Sequence, residues 1–303
     1  MRICSFLPSA TEIVYALGLA DSLVGVTFEC DFPAEARLKP VVVESRMRTV
    51  SGQAAIDAEV SEFMARGESL YRVNSEKLRE LRPDLVITQD LCHVCAASPD
   101  DLAPAISRLD PKPRVLDLSP RTLDEVWSNI LTVGEATERG AEARGLLAQI
   151  ERRIARIRDA EQNESSRPRV LCLEWFDPPF IAGHWVPEMV ALAGGEDVLG
   201  KAGEPGFRST WEAICSAEPE IIVAMPCGYH LDGAVGEYRS LHFPPALADT
   251  PTAAEGRVYA VDASSYFSRP GPRLATGMEI LAQIFRPEGA RVNLPSDAVE
   301  RLA

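Results

Sequence analysis

The chain has 303 residues, room for one large domain or two lobes of ordinary size. Its 31 basic and 45 acidic residues leave a formal charge of −14, which argues against a nucleic-acid partner because such binders present a basic face. Its apolar runs are too short to cross a bilayer, and seven cysteines, an odd number, fit a reducing compartment better than a disulfide framework. Met1–Pro8 carries too short an apolar stretch for a signal peptide. The expected location is therefore cytoplasmic if Met1 is the native start, and periplasmic if it is not.

Arg2–Leu7 reads as a short buried strand. Ser9-Ala10-Thr11-Glu12 has the form of a capping box, opening a helix that runs through Leu17 and stops at Gly18. Leu23–Thr27 is a strand, 28–33 a loop and Val41–Val43 another short strand; residues 44–72 read as irregular or mixed. Asn74 or Ser75 caps a short helix to Leu81, and Pro83-Asp84 turns into the strand Leu85–Thr88. A helix is predicted from about Pro99 and a strand over Arg114–Leu118. Strands alternating with helices imply a mostly parallel sheet.

Thr122 to Gln162 holds no proline. Apolar residues recur at helical spacing through Leu123, Val126, Ile130 and Val133, then through Leu147, Ile150, Ile154 and Ile157. Thr122 with Glu125 forms a capping-box signature. Gly134, Gly140 and Gly145 each cost roughly 1 kcal/mol against alanine in a helix interior. The pattern therefore predicts a break near Glu135–Gly140 and a second helix over about 138–162, with Arg152, Arg153, Arg156 and Arg158 toward its C-terminal end.

Beyond it, Arg169–Glu174 is a strand that leads into a loop at Trp175–Phe180. Gly183-His184-Trp185 enters a helix with Pro187 in its first turn, ending at Gly194-Gly195. Ser209 with Glu212 opens a helix to Ala217, and Pro219-Glu220 turns into Ile221–Met225, followed by Cys227-Gly228-Tyr229-His230. Arg257–Val261 reads as the last strand, Ser264–Pro272 as a loop and Arg273–Phe285 as the final helix.

Two pairs of segments echo each other. Glu12 to Gly18 matches Glu188 to Gly194, and Glu76 to Pro83 matches Glu212 to Pro219, each with equal spacing. The fold class is thus two Rossmann-like α/β lobes with mostly parallel sheets, residues 1–121 and 166–303, joined through the helical segment 122–165. Open parallel sheets bind ligands beyond the carboxyl ends of their strands. Two facing edges would make a cleft walled by 8–9, 28–31, 89–95, 174–185, 227–230 and 264–270. The ligand-contact candidates are Pro8, Ser9, Phe28, Glu29, Asp90, Cys92, His93, Glu174, Trp175, Phe176, His184, Trp185, Tyr229, Tyr266, Phe267 and Arg269. The aromatic share suits a large, flat, partly apolar ligand met by a few polar groups.

Cys92-His93-Val94-Cys95 is the sharpest local motif. It has the spacing of a zinc or redox pair, with His184 or Cys227 available to complete a set, and also that of small buried thiols. The expected reading is no resident metal, with Cys92, His93, Cys95 and His184 as the leading candidates if one is bound. The sequence has no nucleophile elbow, phosphate loop or dinucleotide fingerprint. Glu76 and Glu212, at the starts of matched helices, suit either helix capping or docking to a partner with paired arginines.

Taken in order, Pro8-Ser9-Ala10-Thr11-Glu12, Val24-Gly25-Val26 with Cys30-Asp31-Phe32-Pro33, Pro83–Ile87, Asp177-Pro178-Pro179-Phe180 with Gly183, Gly194-Gly195, and Arg269 with Pro272-Arg273 resemble the cobalamin-binding proteins of ABC importers. These belong to the helical-backbone class III of substrate-binding proteins. The resemblance implies two lobes bridged by one helix, a corrinoid as ligand, no catalytic cofactor and no enzymatic activity. It places Glu76 and Glu212 where the family has the glutamates that meet transporter permease arginines, and Arg269 where it has an arginine near the ligand. Ser264–Phe267 covers the loop with an acidic and an aromatic contact, Ser265 standing for the acid and Tyr266 for a tryptophan; Glu29 stands for a tyrosine. The protein is read as a monomer that takes no nucleic acid and inserts in no membrane. Competing expectations are an iron-siderophore or heme carrier, and a metal- or thiol-dependent enzyme built on Cys92, His93 and Cys95.

Overall fold

The computed structural model describes residues 1–48, 52–91, 96–97, 99–161, 166–241, 250, 252, 255–288 and 293–302. The Cys92–Cys95 motif therefore lies outside the described residues. The chain divides into two compact units, Met1–Pro120 with Trp127–Leu147, and Arg121–Val126 with Ala148–Ala303.

In the first unit β1 (Ile3–Ser5), β2 (Leu23–Thr27), β3 (Val41–Ser45), β4 (Tyr71–Val73), β5 (Leu85–Thr88) and β6 (Arg114–Asp117) form one sheet in the order β4-β3-β2-β1-β5-β6. Every pairing is parallel except β3–β4. All four residues of β5 are buried, as expected of a central strand covered on both faces. The helices are α1 (Pro8–Ala16), α2 (Gln53–Arg66), α3 (Ser75–Leu81) and α4 (Pro99–Ile106). Phe6, Val42, Leu78, Val86 and Leu102 share one core cluster.

One sequence expectation changes here and a second is narrowed. The capping box at Ser9 does not form. Pro8 occupies the first turn, its fixed φ starting the helix early, and Leu7 caps it without a side-chain bond. Ser9 and Thr11 are buried inside α1, and Thr11 Oγ1 donates to Cys30 Sγ at 3.1 Å. Of the two readings left open for residues 44–72, irregular or mixed, the described residues show the mixed one: they hold α2 and the antiparallel edge strand β4. Val60 and Phe63 of α2 pack on the core, and Gly67 ends the helix at φ 65°. Asn74 caps α3 as expected, its Oδ1 accepting from Lys77 N at 3.0 Å.

In sequence, α5 (Leu123–Ala136) and α6 (Gly140–Glu161) follow β6, so the chain does break in the predicted interval. The Thr122–Glu125 box is reciprocal: Glu125 N donates to Thr122 Oγ1 and Thr122 N to Glu125 Oε2, both at 3.3 Å. Gly134 allows the two helices to meet at their corner, where a methyl would stand 2.6 Å from Ala143 Cβ.

In the second unit β7 (Arg169–Phe176), β8 (Pro179–Ile181), β9 (Glu196–Asp197), β10 (Phe207–Arg208), β11 (Ile221–Ala224), β12 (Val258–Val261) and β13 (Val299–Arg301) follow the order β10-β8-β7-β11-β12-β13, with β9 also on β7. Its pairings are mixed: β9–β7, β7–β11 and β11–β12 are parallel, while β8, β10 and β13 run antiparallel. The expected loop at Trp175–Phe180 is a β7–β8 hairpin, since Trp175 pairs with Phe180 and Phe176 with Pro179. The expected last strand is followed by β13. The helices are α7 (Val186–Leu192), α8 (Trp211–Ser216), α9 (Leu231–Ser240), α10 (Ala263–Tyr266) and α11 (Leu274–Phe285). Thr210, not Ser209, caps α8, accepting from Ala213 N at 3.2 Å. The expected loop from Ser264 begins instead with α10, capped by Asp262.

The echo extends to backbone detail. α1 and α7 are followed by left-handed glycines, Gly18 (φ 74°) and Gly194 (φ 84°). α3 and α8 are followed by left-handed residues directly before proline, Arg82 (φ 43°) and Glu218 (φ 44°). Arg2 N donates to Asp84 Oδ2 at 2.7 Å and Arg2 Nε to Leu81 O at 2.6 Å. In the second unit Arg169 N donates to Glu220 Oε2 at 2.7 Å, and its guanidinium to Ala217 O at 2.6 Å. Each lobe thus staples the start of its first strand to the turn between the matched helix and the next strand.

Candidate ligand site

In the second unit the carboxyl ends of β7, β11 and β12 gather a mixed aromatic and polar set. Trp175, near the end of β7, meets Tyr229 edge-on at 5.8 Å between ring centroids. Tyr229 lies in the turn after β11, and its hydroxyl reaches Glu237 Oε1 at 3.4 Å. Burial first, then the Glu237 charge and this bond, push the phenol up to about 12, so it stays protonated. Ser264 N donates to Tyr229 O at 3.0 Å, tying the turn after β11 to the start of α10. His230 directly follows, its Nδ1 3.1 Å and 3.2 Å from the two carboxylate oxygens of Asp262. Asp262 Oδ1 also accepts from Ser265 N at 2.8 Å. Glu174, half-buried, packs against Gly206, where a Cβ would stand 2.8 Å from its Oε2.

A second group sits before α7. His184 takes φ 52°, held on both sides by the loop that follows β9: its N donates to Glu204 O at 2.6 Å and its O accepts from Gly203 N at 2.9 Å. Its ring stacks on Trp185 at 5.6 Å. Burial, and next the positive charge of Arg121, hold the imidazole below its ordinary pKa. Its Nε2 is buried without a hydrogen-bond partner. Trp185 Nε1 donates to Phe267 O at 2.8 Å. The Arg273 guanidinium lies 5.6 Å from the centre of the Tyr266 ring, and Arg269 is half-buried.

Three expected contact residues prove to be packing residues. Phe176 and Phe267 are each 1% exposed and Trp185 6%, so their surfaces are already covered by protein. They back the site and leave little face for a ligand. The reason is strand alternation for Phe176, which joins the core cluster with Leu173 and Ala224, and the indole hydrogen bond for Trp185.

In the first unit Pro8 and Ser9 are likewise buried in the first turn of α1. Phe28 is 45% exposed and tilts against Tyr71 at 6.4 Å. Glu29 is half-buried, its N donating to Thr27 Oγ1 at 3.2 Å. Asp90 is exposed, its N donating to Ser119 Oγ at 2.7 Å. Cys92, His93 and Cys95 lie outside the described residues; among the described residues no three His, Cys, Asp or Glu side chains are grouped to hold a metal ion. Glu76 and Glu212 are both exposed and occupy the same place, two residues past the caps Asn74 and Thr210. The backbone at the helix start, then the Thr210 hydroxyl, hold the Glu212 carboxyl below the usual range. The sequence did not single out His230 or Asp262; their positions directly beyond two adjacent parallel strands were the available signal.

Residues 3–264 match the family model described as periplasmic binding protein. The chain belongs to that family. Its members bind ligands, so the protein is a ligand-binding protein rather than an enzyme, and the thiol-enzyme expectation is set aside. It is 24% identical to the vitamin B12-binding protein of Vibrio cholerae over 92% of this chain and 86% of that one. It is 26% identical to an uncharacterized ABC transporter substrate-binding lipoprotein of Bacillus subtilis, over 95% and 80% respectively. Among solved structures it superposes on a periplasmic heme-binding protein from Pseudomonas aeruginosa with a TM-score of 0.71 and 23% identity, covering 97% of this chain and 95% of that one. That last likeness establishes the fold: two α/β lobes with mixed, mostly parallel sheets.

Proposed function

We propose that the protein binds cobalamin or a related corrinoid at the strand-end loops of its lobes, for uptake or intracellular handling. The observation that carries the reading is the set at the carboxyl edge of the second sheet. Trp175 and Tyr229 offer aromatic surface there, and Glu174, His230 and Arg269 offer polar groups. A corrin is a broad ring, apolar in its plane and fringed with amides, so it needs apolar contact surface and hydrogen-bonding groups around it. The likeness to a vitamin B12-binding protein supports the same ligand. Heme is the second reading, favoured by the superposition on a heme-binding protein. Its propionates are anionic, and a chain with a formal charge of −14 favours the amide-fringed ring.

An ABC transporter permease is the proposed partner. Glu76 and Glu212 would dock it, because they stand at equivalent exposed positions on matched helices, where cationic side chains of a partner can reach them. Calorimetric titration with cyanocobalamin and, separately, with hemin tests the ligand. Stoichiometric saturation by the corrinoid is expected; saturation by hemin alone, or by neither, would remove the proposal.

A further inference from the structure

We infer that Gly233 is a positioning residue of the ligand site: it keeps the Tyr229 ring laid against α9, so that the ring walls the site instead of filling it. The role rests on the corrinoid reading for its ligand, while the stance of the ring is readable without one.

Glycine weakens a helix relative to alanine, because it has more backbone freedom to lose and no side chain to pack. α9 nevertheless holds Gly233 and Gly236. The two differ in what a methyl would meet. At Gly236 nothing lies within 4 Å. At Gly233 the three nearest atoms all belong to one side chain: Cδ1 of Tyr229 at 2.9 Å, its Cε1 at 3.7 Å and its Cβ at 3.8 Å. Carbon atoms pack at about 3.5–4.0 Å, so a methyl at 233 and the present ring exclude each other. The crowded Cδ1 sits at the base of the ring, so the whole ring would have to turn. The edge of Tyr229 thus rests in a notch that only glycine leaves on the helix.

The rest of the ring is held along the same line. Glu237 lies one turn beyond Gly233 on the same face of α9, and its Oε1 accepts from the Tyr229 hydroxyl at 3.4 Å. Trp175 meets the ring edge-on, with 5.8 Å between centroids and 72° between planes. The backbone of Tyr229 is pinned, since its N donates to Pro226 O at 3.1 Å and its O accepts from Ser264 N at 3.0 Å. A methyl at 233 would therefore be relieved by rotation of the side chain away from α9. The ring would leave Glu237 and Trp175 and enter the space beyond the strand ends, where open α/β sheets place their ligands. Gly233 in this way sets the room left for a broad macrocycle.

The test compares Gly233→Ala with Gly236→Ala in the full chain. In calorimetric titration with cyanocobalamin, Gly233→Ala should raise Kd about tenfold, the worth of one aromatic contact, and Gly236→Ala should leave it unchanged. In a Tyr229→Ala background, Gly233→Ala should have no further effect on Kd. Absorbance titration of the phenols reads the stance without ligand. Burial and Glu237 push the Tyr229 phenol up to about 12. Gly233→Ala should add one tyrosine to those that ionise near the ordinary value of about 10, and Gly236→Ala none. Unchanged corrinoid affinity in Gly233→Ala, or an equal loss with and without Tyr229, overturns the role of Gly233 while leaving the corrinoid reading intact. If the parent does not bind cyanocobalamin, the corrinoid reading fails and the phenols decide: one added tyrosine upholds the positioning, and an unchanged number overturns it. Should Gly233→Ala fail to fold, recovery in the Tyr229→Ala background supports the contact, and failure in both overturns it.

Discussion

Trp185→Phe isolates one buried hydrogen bond. Trp185 is 6% exposed, and its Nε1 donates to Phe267 O at 2.8 Å. Phenylalanine keeps the aromatic body but leaves that carbonyl unsatisfied, which costs about 1–3 kcal/mol. The smaller ring adds a cavity term of about 1 kcal/mol. The sum, about 2–4 kcal/mol, corresponds to a fall in melting temperature of about 6–12 °C for a unit of this size. Trp175→Phe supplies the contrast. The Trp175 Nε1 is buried without a partner, so its removal breaks no bond and relieves an unsatisfied donor. That variant should melt within about 2 °C of the parent, or above it. Both are read by circular dichroism melts at one pH. Equal melting temperatures for the two variants would refute the assignment of Trp185 as the tie between the segment before α7 and the one after α10.

Further outcomes follow from single contacts. Arg153→Met removes a bidentate partner from Glu279, which its Nε and Nη2 reach at 2.8 Å and 2.5 Å, along with the bond to Thr276 Oγ1; because the arginine is 32% exposed, a loss of about 2–3 kcal/mol is expected in denaturant unfolding. Burial raises the Asp197 carboxyl to about 6, above its unfolded value, so its contribution to stability is full below pH 4 and is lost as pH rises through 6. Asp197→Asn should therefore match the parent near pH 4 and melt higher at pH 8, which a series of melts across that range will show. Glu76→Ala and Glu212→Ala should each leave the melting temperature close to that of the parent, since both are exposed, yet the double variant should lose affinity for the proposed permease partner in a pull-down or reconstituted transport assay.

The frame was legible because its signals are local. Leu23–Thr27 and Leu85–Thr88 are short runs rich in β-branched and apolar residues between turn residues, and both strands occupy those bounds. The Thr122–Glu125 box and the Asn74 cap are each set by a side chain that accepts from the backbone N–H three residues on. What was hidden depends on pairing across distance. The β7–β8 hairpin was obscured because Asp177-Pro178 reads as the end of a strand, and β9, β10 and β13 are too short to leave a periodic trace. α2 was missed because its apolar positions, Ile56, Val60 and Phe63, are few among charged and small residues. Aromatic content singled out strand-end segments but could not separate Phe176 and Phe267, which fill the core, from Tyr229, which keeps an exposed fraction. The His230–Asp262 pair spans 32 residues and becomes visible only when β11 lies beside β12.

The matched arginines have an experimental use. Arg2 and Arg169 perform one task in two settings, each joining a strand start to a helix-ending turn. The molecule thus carries an internal replicate. Any substitution made at both positions measures the same chemistry twice in a single polypeptide, under identical solvent, temperature and ligand. The difference between the two results reports how far the lobes have diverged in their dependence on a shared joint.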